Sequence, residues 1–235
     1  MNHYAHAYLA GAFFPLPIWL ILYYLRPDLR KEMVLIGSIS GLLAIIFAPA
    51  VLNDYWHPSY AFNRFGGHWP FGGIEDFVYT FFIMGIASVL YEEIFGKKYA
   101  RRRNRRARFH EFVVPALIFY ILSFYVPVWL GMPSIYAAIL SSGLLLAIVL
   151  AFRCDLLTDA LLSGLIMGIL VFAGYIVFLR IYPNLFKLDF YPTVGSNGYI
   201  LKVPINEILW AFALGAVAGP VYEFFEGLKI QRRKT

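Results

Sequence analysis

The sequence predicts an all-α polytopic membrane protein: seven transmembrane helices forming two parallel three-helix repeats joined by one extra helix. Three observations predict it. The chain of 235 residues is 60% hydrophobic and 14% charged, with a mean hydropathy of +0.67, outside the range of soluble globular domains. It contains seven apolar runs long enough to cross a hydrocarbon core ~30 Å thick. A block of the first half recurs in the second.

The runs are about Tyr8–Leu25, Met33–Leu52, Asp76–Ile94, Phe112–Leu130, Ser134–Phe152, Leu156–Leu179 and Ile205–Phe225. The fourth and fifth are parted only by Gly131-Met132-Pro133, residues that favour a tight turn. Seven spans put alternate connections on one side. That side collects Arg26, Arg30, Lys31, the Lys97–Arg108 cluster, Arg153 and the tail, 16 of the 20 basic residues. The positive-inside rule then places the N terminus outside and the C terminus in the cytoplasm, with a prokaryotic plasma membrane the expected location. The run KKYARRRNRRAR reads as a cytoplasmic loop near anionic headgroups and not as a nucleic-acid site. No basic segment precedes the first run, which argues against a cleaved signal. The single cysteine, Cys154, permits no internal disulfide.

Ile74–Gly96 aligns with Ile205–Gly227. Phe81/Phe212, Ala87/Ala218, Tyr91/Tyr222, Glu92/Glu223 and Gly96/Gly227 are identical pairs, and Asp76 faces Glu207. Upstream, Arg30–Leu42 aligns with Arg153–Leu165. The chain then reads as one membrane domain: repeat one about 8–96, a linking span about 112–130, and repeat two about 134–227. The extra span restores the orientation of the second copy, so matching residues sit at matching depths. Gly85, Ser88 and Gly215-x-x-x-Gly219 suit close helix packing.

Acids inside membrane spans are costly and usually face a bundle interior or a cavity. Glu75, Asp76 and Glu207 open their helices, where they could simply complement the helix dipole. Glu92 and Glu223 lie near helix C-termini, where the dipole opposes them, so a partner such as Arg30 or Arg153 is expected. A carboxyl buried in an apolar site can stay protonated at neutral pH and protonate an alkene. Aromatic faces such as Phe77, Tyr79, Phe81, Phe82 and Trp210 would stabilise the resulting cation, and a second carboxylate would remove the proton at the end.

These residues resemble the lycopene cyclase domain family, small membrane carotenoid cyclases found as two short subunits or fused. Similar members carry an Asp-Tyr-Trp element after the second span, here Asp54-Tyr55-Trp56. They also open the third span of each unit with Pro-x-Glu-Glu/Asp, here Gly73-Ile74-Glu75-Asp76 and Pro204-Ile205-Asn206-Glu207. Gly73 and Asn206 depart from that pattern, which marks an outlying member of the fused form. The resemblance implies catalytic roles for Glu75, Asp76 and Glu207. Substrate contacts would come from Asp54, Tyr55, Trp56, Tyr79, Phe82, Asn206 and Trp210, with Glu92 and Glu223 as secondary acids. Glu75 or Asp76 would protonate, and Glu207 would orient or receive the returning proton. A weaker resemblance is to seven-span terpene cyclases.

The expected function is therefore acid-initiated cyclisation or isomerisation of a long isoprenoid, without redox change and without a cofactor. The expected partners are a lipophilic substrate and the bilayer, and self-association is left open. The alternative is a transporter or lipid-binding module using the same acids. A further one is a degenerate cyclase acting as a partner subunit. His3, His6, His57 and His68 fall on the outer side in no compact metal-binding pattern. Asp155-x-x-x-Asp159 has no second acid-rich motif beside it, as a prenyl transferase would need. No Gly-x-Gly-x-x-Gly, Walker loop or Gly-x-Ser-x-Gly is present. The outer loops Asn53–Gly73 and Ile181–Pro204 are rich in Pro, Gly, Asn and aromatics, and the stretch YWHPSYAFNRFGGHWPFGG of the first is expected to fold over the outer mouth.

Overall fold

The computed structural model describes residues 6–61, 72–101 and 109–232. His3, His68, the 62–71 part of the first outer loop and the 102–108 part of the basic run lie outside the described residues. Seven stretches are long and apolar enough to cross a membrane, and all seven expected spans are among them. The first is α1 (Ala7–Phe13) followed by α2 (Leu16–Leu25). It is interrupted where Pro15 and Pro17 deny the backbone N–H groups a continuous helix needs. The second is α3 (Arg30–Asp54). The third is α4 (Ile74–Ala87) continued, after an offset at Ser88 and Val89, by α5 (Leu90–Ile94). α6 (Phe109–Trp129), α7 (Ser134–Phe152), α8 (Leu157–Ile181) and α10 (Ile205–Glu226) complete the set. A short α9 (Leu185–Leu188) lies in the last large loop.

Within the first half α3 packs chiefly on α4, and within the second α8 packs chiefly on α10. The contacts correspond. A Cβ on Gly37 would come within 2.6 Å of the Phe81 carbonyl oxygen, and one on Gly164 within 2.8 Å of that of Phe212. Only glycine lets these backbones approach so closely. Phe81 and Phe212 are counterparts in the sequence alignment. Gly37 and Gly164 are not, because that alignment sets Arg30 against Arg153. The structural counterpart of Arg153 is Arg26, one helical turn earlier. Arg26 donates to Asp28 at 3.0 and 2.9 Å and to the Glu92 carbonyl at 3.3 Å. Arg153 donates to Asp155 at 2.8 and 2.9 Å and to the Glu223 carbonyl at 3.3 Å. The matching segments are therefore Arg26-Pro27-Asp28-Leu29 and Arg153-Cys154-Asp155-Leu156.

The chain after α5 is not wholly a loop. β1 (Lys97–Arg101) pairs antiparallel with β4 (Leu228–Arg232). The central pair is Tyr99 with Ile230, a residue and its own counterpart 131 positions on. An antiparallel register of that kind is what a two-fold axis between the halves would produce. A second small ribbon, β2 (Tyr199–Ile200) with β3 (Val203–Pro204), leads into α10. α6 stands at the periphery, with Val114, Ile118, Leu122 and Trp129 exposed as lipid contact requires.

Candidate active site

Asp76 lies in the first turn of α4. Its carboxylate accepts the Gly73 N–H at 2.7 Å, closing the start of the helix. It therefore serves as a cap, yet it also accepts the Tyr60 hydroxyl at 2.7 Å and the Tyr8 hydroxyl. Glu207, its counterpart on α10, accepts the Tyr55 hydroxyl at 2.6 Å and the Tyr175 hydroxyl at 2.5 Å. Both acids are buried, 4% exposed each. Each carboxylate is thus clasped by two phenols. Burial and the Glu207 carboxylate hold the Tyr55 phenol well above its ordinary range. Burial and Asp76 do the same for Tyr60. Both hydroxyls therefore remain donors throughout the physiological range.

Asp76 and Glu207 line one cavity of about 550 Å³, within the usual size of small-molecule sites. Tyr8, Tyr55, Trp56, Tyr79 and Trp210 line it with them. The rest of the wall is almost wholly apolar. It extends along α10 as far as Tyr222 and Phe225, 18 residues beyond Glu207, or about 27 Å at 1.5 Å per residue. The cavity is therefore a long slot with its acids at one end. That end is closed by the described part of the outer loops. His57 N–H donates to the Asp189 carbonyl at 2.8 Å, Tyr191 N–H donates to the Tyr55 carbonyl at 2.9 Å, and Trp56 bridges to Phe190.

Several expected site residues do other work. Glu75 is buried but does not line the slot, because adjacent helical residues point about 100° apart. Its carboxylate accepts the Ala61 N–H at 3.0 Å and so holds the loop that carries Tyr60. Asp54 accepts the Ser134 N–H at 2.6 Å, capping α7. Asn206 is fully buried and donates to the carbonyls of Thr193 and Val194 at 3.2 and 3.1 Å, fixing the segment before α10. Phe82 packs on Trp19 with ring centroids 5.7 Å apart, away from the slot. Phe77 and Phe81 fill the α3–α4 contact beside Gly41 and Gly37.

The structure adds Tyr8, Tyr60 and Tyr175, which the sequence reading did not single out. It also adds Asp189, a third acid in the slot wall. Burial raises the Asp189 carboxyl above its ordinary range, and nearby His57 opposes that shift.

Glu92 and Glu223 are fully buried at the other end of the molecule. The expected pairing of their carboxylates with arginine is not formed. Arg26 reaches Glu93 at 2.8 Å and only the backbone of Glu92, while Arg153 reaches Asp155 and only the backbone of Glu223. Arg30 donates to the Tyr23 carbonyl at 2.7 Å.

Residues 133–225 match the model of the lycopene cyclase family. The matched stretch runs from α7 to nearly the end of α10 and includes Tyr175, Asn206 and Glu207. It is consistent with a lycopene cyclase domain, and the resemblance read from the sequence is borne out there. No curated protein and no solved structure matches the chain. The protein is thus an integral membrane protein whose second half is similar to the lycopene cyclase family.

Proposed function

We propose that the chain is a membrane cyclase or double-bond isomerase that acts on a long linear isoprenoid by acid catalysis, without redox change. One observation carries this reading: two carboxyls from corresponding helices, each clasped by two tyrosines, face the same end of a long apolar slot. The slot suits a linear hydrocarbon lying along the bundle, with its reacting end at Asp76 and Glu207.

In this mechanism the Asp76 carboxyl gives its proton to a terminal alkene. A C–H bond forms, and the π pair that makes it leaves a carbocation on the neighbouring carbon. The π pair of a second alkene attacks that carbon and closes a ring, which moves the positive charge. Glu207 then takes a proton from the adjacent carbon, the C–H pair becomes a new alkene, and the product is an isomer of the substrate. Trp56, Tyr79 and Trp210 offer ring faces to the cation. The apolar wall keeps out the water that would trap it. The phenols can relay the proton: one that donates to a carboxylate accepts from a carboxylic acid once its hydroxyl hydrogen turns. Glu75 acts here as a positioning residue for Tyr60.

The reading of the chain as two corresponding three-helix units is supported by the matched Arg26 and Arg153 contacts and by the Tyr99–Ile230 pairing. The basic bias supports a C terminus in the cytoplasm and the Asp76 end outside. A transport role would call for acids along a path through the bundle. The carboxyls lining the slot among the described residues, Asp76, Asp189 and Glu207, instead gather at one end.

The test is expression in a host that accumulates lycopene or another linear polyprene, with chromatography of the extracted lipids. A cyclic isomer is expected, and in D₂O it gains one deuterium per ring formed. D76N and E207Q should each lower turnover by at least about a hundred-fold, while E75Q stays within about ten-fold of wild type. A product carrying no solvent deuterium, or full turnover in both D76N and E207Q, would overturn the proposal.

A further inference from the structure

At the end of the bundle opposite Asp76 and Glu207, four acids are packed into the core. Glu32, Glu92, Asp159 and Glu223 are each no more than 1% exposed. They form two pairs of structural counterparts, Glu32 with Asp159 and Glu92 with Glu223, so both halves of the chain contribute equally. One carboxylate oxygen from each of Glu92, Asp159 and Glu223 lies within 4.8 Å of the others. Asp159 accepts the Ser163 hydroxyl at 3.0 Å through one oxygen, and its other oxygen has no donor among the described residues. Both oxygens of Glu92 and both of Glu223 also accept no hydrogen bond from a described residue.

Among the described residues, Arg26, Arg153 and Lys31 form their ion pairs with other acids. Arg26 is held by Asp28 and Glu93, Arg153 by Asp155, and Lys31 by Glu226 at 3.0 Å. Buried charges are ordinarily paired or bound to a metal, since an isolated buried carboxylate costs several kcal/mol. Here three buried carboxylates converge, one oxygen of each within 4.8 Å of the others, and five of their six oxygens accept no hydrogen bond from a described residue.

We propose that Glu92, Asp159 and Glu223, with Glu32 beside them, bind a hard divalent cation of the Mg²⁺, Mn²⁺ or Ca²⁺ class. An all-carboxylate donor set with no nitrogen or sulfur selects such ions. Oxygens on opposite sides of a bound cation lie two bond lengths apart, about 4.0–4.2 Å for Mg²⁺ and about 4.6–5.2 Å for Ca²⁺. Oxygens that all lie within 4.8 Å of one another can share one such ion. None of the four acids lines the slot. Glu223 lies 16 residues from Glu207 on the same helix, about 24 Å away, so the cation does not touch the isoprenoid. It clamps α3 and α5 of one half to α8 and α10 of the other, beneath the β1–β4 ribbon. This site stands independently of the cyclase reading.

The test uses the full chain purified in detergent, stripped with a chelator and titrated with Mn²⁺ under electron paramagnetic resonance, with Tm measured in parallel. Saturable uptake of about one Mn²⁺ per chain is expected, with Ca²⁺ or Mg²⁺ competing and Tm rising on loading. E223Q and D159N should weaken Mn²⁺ binding by more than about ten-fold and abolish the rise in Tm. D76N should bind Mn²⁺ as wild type does. The overturning result is a monodisperse stripped wild-type protein that takes up no Mn²⁺, which would mean the acids share protons instead. Equal uptake by wild type, E223Q and D159N would overturn it as well. If E223Q does not fold, the wild-type titration and the milder D159N variant decide.

Discussion

Glu75 and Asp76 are neighbours in sequence and opposites in role. Adjacent helical side chains point about 100° apart, and here Asp76 lines the cavity while Glu75 does not. That much could be anticipated from helical periodicity. The tyrosines could not. The chain has 17 of them, and tyrosines belt every membrane interface. Nothing in the sequence separates Tyr8, Tyr60 and Tyr175 from the rest, because they meet their acids only through tertiary contacts. Asp76 and Glu207 stood out because acids in apolar runs are rare. Tyr55 gives the sharpest test of the clasp. Its hydroxyl is one of the two donors to Glu207, at 2.6 Å. A hydrogen bond to a charged group is worth about 1.5–3 kcal/mol, or roughly ten- to a hundred-fold in rate. Y55F should therefore lower kcat/KM by that factor. Burial and Glu207 hold the Tyr55 phenol well above its ordinary range, so it does not ionise on approach to pH 10. Wild type and Y55F should share the same alkaline limb in a pH–rate profile. A limb present only in wild type would show that Tyr55 ionises there and that its carboxylate clasp is weak.

The helices themselves were legible throughout, because an apolar run of membrane length is a strong signal that tertiary context seldom overrides. What failed was the register of α3 against α8. Aligning Arg30 with Arg153 shifts the match by four residues, which keeps nearly the same helix face and so looks plausible in sequence. The arginine contacts correct it, since Arg26 and Arg153 each bridge an acid two residues on and a carbonyl near the end of the corresponding span, α5 for Arg26 and α10 for Arg153. The corrected register pairs Gly37 with Gly164, and this has a mechanical consequence. A methyl group on Gly164 would meet the Phe212 carbonyl at 2.8 Å and the Ala216 Cβ at 3.0 Å, neither of which is a flexible chain end. Overpacking of this kind costs about 1–3 kcal/mol. Gly143, on α7, has open space where its Cβ would be. G164A should therefore lower the thermal stability of the purified protein, whereas G143A should leave it unchanged or raise it slightly through helix propensity. Equal melting of the two variants would contradict the close α8–α10 contact.

For the molecule as a whole, the two ends differ under the proposed reading of two corresponding units. At the Arg26 and Arg153 end the correspondence is close: matched arginines, matched acids, and a ribbon whose central pair joins Tyr99 to its counterpart Ile230. At the Asp76 and Glu207 end the acids correspond but their phenols do not. Tyr8 and Tyr60 both come from the first half, whereas Glu207 draws Tyr55 from the first half and Tyr175 from the second. A binding end freed from symmetry can give two like carboxyls unlike tasks, one to deliver a proton and one to recover it. The symmetric end is also the basic one, and this fixes an expectation for topology. Arg26, Lys97 and Arg153 lie in the connections at that end, with Arg30 and Lys31 in the first turn of α3, and the chain after α10 lies there too. By sequence the opposite connections hold Arg64, Lys187 and Lys202, with Arg180 in the last turn of α8. Lys and Arg in short loops are retained on the cytoplasmic side. A fluorescent protein that matures only in the cytoplasm, fused after Thr235, should therefore light up in a bacterial host, and a periplasmic phosphatase fused there should be silent. The inverse pattern would put Asp76 and Glu207 at the cytoplasmic mouth. The substrate would then reach them from the inner leaflet, and the basic bias would need another cause.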